Sequence, residues 1–120
     1  MAAVVTGVYV QEVADLNVEV ERGESGALVR VDGDLDKLTA SLLKDCLTKL
    51  FAEGQVQVVI DTTELEFCDS SGLWVLVEHQ RRITEHAGSL RLVGVHGVLQ
   101  RVLDVTGLKA AFDSVIPAEL

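Results

Sequence analysis

The sequence predicts an α/β fold, with a mixed, mostly parallel β-sheet, an opening hairpin and packed α-helices. Three observations carry that expectation. Residues 16–31 alternate apolar and polar side chains on either side of a glycine-bounded turn, as a hairpin does. Beyond them, short apolar runs alternate with stretches of helical periodicity. Strands that alternate with helices pair in parallel, because each crossover helix returns the chain to the same end of the sheet. With 120 residues, 48% of them hydrophobic, the chain has material for one domain around one core.

Taken in order, residues 1–15 read as an N-terminal extension. Val8, Val10 and Val13 suit an extra edge strand, and a loose tail is the alternative. The domain proper spans residues 16–120. Leu16, Val18 and Val20 alternate with Asn17, Glu19 and Glu21, the pattern of a half-buried strand. Gly23-Glu24-Ser25-Gly26 is a turn, and Ala27–Val31 is the second strand of the hairpin. Gly33-Asp34-Leu35-Asp36 is expected to be a loop. A helix from about Leu38 to Ala52 buries Leu42, Leu43, Cys46, Leu47 and Leu50, and Gly54 stops it.

Val56–Asp61 (VQVVID) is a third strand. The next helix, reaching about His86, places Leu73, Leu76, Val77, Ile83 and Ala87 on one side, with Gly88 as its terminator. Leu90–Val95 is a fourth strand. Val98, Leu99, Val102, Leu103 and Val105 make a final helix closed by Thr106-Gly107, and Ala111–Ile116 is a last strand ended by Pro117.

Between the third strand and its helix lies Phe67-Cys68-Asp69-Ser70-Ser71-Gly72-Leu73-Trp74. Asp69, Ser70 and Ser71 are good N-cap residues at a strand-loop-helix junction. The first turn of a helix offers free backbone N–H groups and the positive end of a dipole, which suit an anion. Two readings follow: the triplet is only a cap, or one of its serines carries a phosphate.

Composition narrows the partners. Ten Lys and Arg face 19 Asp and Glu, a formal net charge of −9, so a nucleic acid would be repelled. Cys46 and Cys68 lack metal-like spacing, and Cys46 belongs to an apolar helix face, so neither metal nor cofactor is expected. No apolar run reaches membrane-spanning length and the N-terminus lacks a basic flank, which reads as a cytoplasmic protein.

The motif Asp69-Ser70-Ser71-Gly72-Leu73, after a strand ending in Asp61, resembles the STAS domains of bacterial anti-sigma factor antagonists. Three further landmarks are similar: Gly33-Asp34-Leu35-Asp36 with Thr39-Ala40, the approach from Asp61 to Phe67, and Val102–Leu108 with its Thr-Gly-Leu exit. The resemblance covers about Leu16 to Ile116 and implies a single-domain STAS fold. Two positions depart from the family pattern. Thr62-Thr63-Glu64 stands where Leu-Ser and a small residue are usual, and Trp74 where glycine is common.

The resemblance implies a non-enzymatic partner switch. The protein would bind an anti-sigma factor, itself a serine kinase, and so release a sigma factor. Phosphorylation of Ser70, the first hydroxyl after Asp69, would end that binding until a serine phosphatase restores it. Asp34, Asp36, Thr39, Asp69, Ser70, Ser71 and Gly72 would form the partner-binding surface, and Trp74, which a helical wheel lines up with Glu78, Arg81 and Glu85 away from the apolar side, is expected to join it. Within it, Asp36 and Asp69 would position the serine for the kinase, and Ser71 would cap the helix. The alternative is a non-switching STAS accessory or scaffold subunit of a transporter or signalling complex.

Two enzymatic readings fail on the residues. Cys68 occupies the place of the first glycine of a nucleophile elbow, and His79 and His86 sit too far along the helix to serve Ser70. Asp34-Leu35-Asp36 suggests a paired-aspartate phosphatase, but Lys37 and Leu38 replace the glycine and hydroxyl residue that motif requires.

Overall fold

The structure is a computed structural model and describes residues 7–13 and 15–118. It opens on three antiparallel strands, β1 (Gly7–Val13), β2 (Leu16–Gly23) and β3 (Gly26–Leu35). Of the expected extension, β1 pairs with β2 along its whole length, while residues 1–6 and 14 lie outside the described residues. A two-residue turn, Glu24-Ser25, joins β2 to β3, and the register Gly23↔Gly26 follows from it.

The remaining chain alternates as expected: α1 (Ala40–Ala52), β4 (Gln57–Asp61), β5 (Leu65–Cys68), α2 (Ser70–Thr84), β6 (Ser89–Val95), α3 (Gly97–Thr106) and β7 (Ser114–Pro117). The sheet order is β1-β2-β3-β4-β6-β7, with every pair after β3 parallel. The fold is therefore α/β with a mixed sheet.

One face of the sheet is the core. Leu16, Val18 and Val20 of β2 and Ala27, Val29 and Val31 of β3 are buried, as are Val58 and Ile60 of β4 and Leu90 and Leu92 of β6. Leu43, Leu47 and Leu50 of α1, Leu73, Leu76 and Ile83 of α2, and Leu99 and Leu103 of α3 close over the same cluster. Residues between the buried strand positions carry charge: Arg30 pairs with Glu19 at 2.7 Å and also with Glu21.

Several boundaries differ from the sequence reading, each for a local reason. Gly33, Asp34 and Leu35 are strand rather than loop, because β5, which the sequence reading lacked, pairs with them in parallel. Gly33 has φ 108, and a Cβ there would meet the Asp15 carbonyl oxygen at 1.9 Å, so only glycine fits. α1 begins at Ala40 rather than Leu38, since the Asp36 carboxylate accepts the Leu38 and Thr39 N–H groups at 2.9 and 3.1 Å and makes a turn there. The stretch before β7 is a 3₁₀ turn, Leu108–Ala111, not strand.

At the end of α2, Ala87 is exposed and left-handed (φ 60) instead of buried on the apolar side. The Gly88 N–H reaches back to the Ile83 carbonyl at 2.9 Å, the closing bond of a Schellman motif. Gly88 is required for a different reason than the expected terminator role. A Cβ on it would meet the Val56 carbonyl oxygen at 2.2 Å.

Candidate functional site

The pairing of β5 with β3 assembles the site. Leu35 and Cys68 are register partners, so the chain leaves both strands side by side at Asp36 and Asp69. The Asp69 N–H donates to the Leu35 carbonyl at 3.1 Å and continues that pairing. α2 then starts at Ser70, with Asp69 as its N-cap: one carboxylate oxygen accepts the Gly72 N–H at 3.1 Å. The other oxygen accepts the Lys37 N–H at 3.1 Å, tying the loop before α1 to the start of α2.

The loop has its own internal frame. Thr39, only 1% exposed, accepts the Asp36 N–H through its Oγ1 at 2.9 Å and donates to the Asp34 carbonyl at 2.8 Å. Gly72 sits where α2 crosses β3. A Cβ there would lie 2.4 Å from Leu35 Cγ, so the glycine permits the close approach of helix and strand.

Ser70 is exposed at this junction, and its hydroxyl makes no hydrogen bond to the described residues. With Asp69 engaged at Gly72, the N–H groups of Ser70 and Ser71 also have no protein acceptor among those residues. The result is a free hydroxyl beside two free donors at the positive end of a 15-residue helix. The cap is Asp69 and not Ser71, which lies inside the helix, because a carboxylate one residue before the first helical turn reaches the Gly72 N–H directly.

The expected site residues therefore fall into two groups. Asp36, Thr39, Asp69 and Gly72 build the junction through backbone hydrogen bonds and close packing. Ser70 and Trp74, one helical turn apart, face outward, and Trp74 is 57% exposed. Asp34 supplies its carbonyl to Thr39 and is half-buried. The Asp36 and Asp69 carboxylates hold backbone groups rather than the Ser70 hydroxyl.

Two residues missed by sequence reasoning belong beside them. Leu38 (75% exposed) follows Lys37 in the tethered loop, and Phe67 (42% exposed) lies two residues before Asp69. The signal for Phe67 was faint: in β5 only Leu65 and Cys68 are buried, which breaks the strict alternation of a strand.

Three other chemistry-bearing side chains are occupied or inert. Burial, and then the Asp69 charge, push the Cys68 thiol pKa up to about 12, so it stays protonated. His96 bonds to the Thr63 carbonyl at 2.8 Å and His86 to the Arg82 carbonyl at 3.0 Å. Among the described residues, no helix is long and apolar enough to cross a membrane.

A mixed sheet with a capped serine-bearing helix after an inserted short strand defines a class, and the family model for the STAS domain matches residues 17–118. The anti-sigma-B factor antagonist of Bacillus subtilis is 31% identical over 99 residues, covering 82% of this chain and 90% of that protein. The anti-sigma F factor antagonist of Paenibacillus polymyxa is 28% identical over 95 residues, 78% of this chain and 81% of that one. The crystal structure of an anti-sigma factor antagonist from Mycobacterium paratuberculosis superposes with TM-score 0.75 at 26% identity, covering 83% of this chain and 85% of that one. The chain belongs to the anti-sigma factor antagonist family of STAS domain proteins.

Proposed function

We propose that this protein is an anti-sigma factor antagonist that binds an anti-sigma factor serine kinase, frees a sigma factor, and is switched off by phosphorylation of Ser70. The observation that carries the proposal is the exposed Ser70 hydroxyl at the start of α2, which has no partner among the described residues, beside two backbone N–H groups with no acceptor among them. The names of the relatives, antagonists of anti-sigma factors, support the choice of partner.

The switch works by local electrostatics. The kinase transfers the γ-phosphoryl group of ATP to Ser70 Oγ, whose proton leaves to the kinase. The phosphate adds about −1.5 to −2 charges beside Asp69. The free N–H groups and the helix dipole accommodate that charge, so the domain keeps its fold. At a docked surface bearing Leu38, Phe67 and Trp74 the same charge is desolvated and unpaired. That costs roughly 2–5 kcal/mol, a loss of about 30-fold to several thousand-fold in affinity. A phosphatase hydrolyses the ester and restores binding. With a net charge of −9, the effect on transcription runs through proteins and not through contact with DNA.

The test is to incubate the protein with its anti-sigma kinase and ATP, map the modified residue by mass spectrometry, and measure binding before and after. Modification of Ser70, loss of affinity on modification, and persistent binding by Ser70→Ala in the presence of ATP are expected. Phosphate on Ser71 instead would overturn the assignment. Thr62 is a poor competitor, being 1% exposed with its hydroxyl donated to the Val93 carbonyl at 2.9 Å.

A further inference from the structure

α1 and α2 pack side by side, and between them opens a cleft of ≈ 380 Å³ lined by Lys44 and Thr48 of α1 and Trp74, Glu78, His79 and Arg82 of α2, among others. That volume lies in the range of small-molecule sites. The partner-switch reading uses Trp74 and none of the other lining residues.

Three features of the cleft point to a ligand. His79 is 5% exposed, and its Nε2 atom is buried with no hydrogen-bond partner among the described residues. Burial, and next the nearby Arg82, lower its pKa to about 4, so at neutral pH the imidazole is uncharged and able both to donate and to accept. A buried ring nitrogen left unpaired is unfavourable, and such groups normally have a partner.

The second feature is charge. Lys44 and Arg82 are exposed and have no carboxylate partner among the described residues, although the chain has 19 acidic residues against 10 basic ones. Glu78, the acid that lines the cleft, is held by Arg81 at 3.1 Å. Arg82 lies over the Phe51 ring at 5.5 Å, and the Phe51 ring meets that of His79 edge-on at 6.4 Å, so the cation and the imidazole share one support. The third feature is the wall: Trp74 offers an exposed aromatic face and Val75 a partly buried apolar one.

We propose that this cleft binds a small aromatic carboxylate, its anion on Lys44 and Arg82, its ring against Trp74 and Val75, and its polar edge hydrogen-bonded to His79. Each group supplies what its environment lacks: a counter-charge for two unpaired cations, an apolar partner for an exposed indole, and a hydrogen bond for a buried nitrogen.

The probe is 1-naphthoate, titrated at pH 7 into the ¹⁵N-labelled full chain, with 1-naphthalenemethanol as its uncharged counterpart. Saturable shifts are expected at the indole N–H of Trp74, the only tryptophan, and at the amides of Lys44, Thr48 and residues 74–82. The imidazole nitrogens of His79 should shift with the same saturation curve. Affinity should fall at least about fivefold for the uncharged compound, and likewise for the Lys44→Gln/Arg82→Gln protein, whose thermal midpoint should stay near wild type because both residues are exposed. Shifts that fail to saturate, equal binding of the two compounds, or shifts centred on the other face of the sheet would each overturn the proposal. Loss of binding by the double variant with an unfolded spectrum is resolved by the uncharged compound on the unmodified chain, which reads the charge requirement without mutation. None of these readouts involves the kinase, so they stand or fall separately from the Ser70 switch.

Discussion

Asp69 holds Lys37 across 32 residues of sequence: its carboxylate accepts the Lys37 N–H at 3.1 Å while also capping the Gly72 N–H at 3.1 Å. One side chain thus sets both the start of α2 and the position of the loop that precedes α1. Ser70 is displayed where these two meet. Asp69→Ala should lower stability by about 1–2 kcal/mol, the usual cost of a lost N-cap, and Asp69→Asn by less. Urea unfolding measures both, and hydrogen exchange should quicken at the Lys37 amide in the alanine variant. An alanine variant with the wild-type midpoint and unchanged exchange would show that the tie carries no weight.

Gly72 tests the closeness of helix and strand. Its added Cβ would lie 2.4 Å from Leu35 Cγ and 3.0 Å from the Leu35 carbonyl oxygen, and Leu35 is fully buried. Gly72→Ala gains helix propensity but overpacks the core, and the overpacking wins, with a net loss of about 1–3 kcal/mol. Ser71→Ala, one residue away with no side-chain hydrogen bond to lose among the described residues, should stay within about 0.5 kcal/mol. Equal stability of the two variants would contradict the packing argument.

How far the sequence revealed this site depends on the range of each interaction. The buried stripe Leu42, Leu43, Cys46, Leu47 and Leu50 was legible because helical periodicity is local, and all five are buried. The short motif Asp69–Leu73 likewise announced a cap. Hidden from view was β5, whose four residues carry too little pattern and whose pairing with Gly33, Asp34 and Leu35 is a long-range event. That pairing turned an expected loop into strand and brought Asp36 beside Asp69. The tether from Asp69 to Lys37 was equally invisible, since a carboxylate's second acceptor site has no sequence signature. The end of α2 misled for a related reason: Gly88 is there for its approach to Val56, and the left-handed position fell to Ala87.

His79 gives the protein a pH dependence of predictable sign. Its pKa is about 4 in the folded chain, against about 6.5 for a free imidazole. Between those values the unfolded chain binds the proton and the folded chain does not. Stability from this residue is therefore complete above about pH 6.5 and declines as the pH falls toward 4, by at most about 3 kcal/mol. Phe51 meets the ring edge-on, and the Arg82 charge acts in the same direction as burial. Carboxylates titrate over part of the same window, so the comparison is between wild type and His79→Leu. The leucine variant should show a shallower decline from pH 6.5 to 4.5, measured as denaturant midpoints at each pH. Parallel profiles for the two proteins would mean that His79 is not the group responsible.

Trp74 carries the last prediction, and it separates fold from interface. The side chain is 57% exposed one turn into α2, four residues beyond Ser70 and on the same side of the helix. A large apolar ring left in water gains little for the folded chain, so Trp74→Ala should change stability by less than about 1 kcal/mol. Exposed aromatics become binding anchors when a partner desolvates them. The same substitution should therefore weaken binding to the anti-sigma partner by roughly 2 kcal/mol, or about 30-fold. Leu38→Ala and Phe67→Ala, which remove the other two exposed apolar side chains near Ser70, should weaken it in the same direction. Lys44→Gln/Arg82→Gln, which removes the two cations lining the α1–α2 cleft, supplies the contrast: it should disturb small-molecule binding more than partner affinity. Calorimetry with the partner and thermal melting of each variant read the two quantities independently. A Trp74→Ala protein that melts several degrees early yet binds its partner normally would make the ring part of the packing, and the interface would have to be sought elsewhere on the domain.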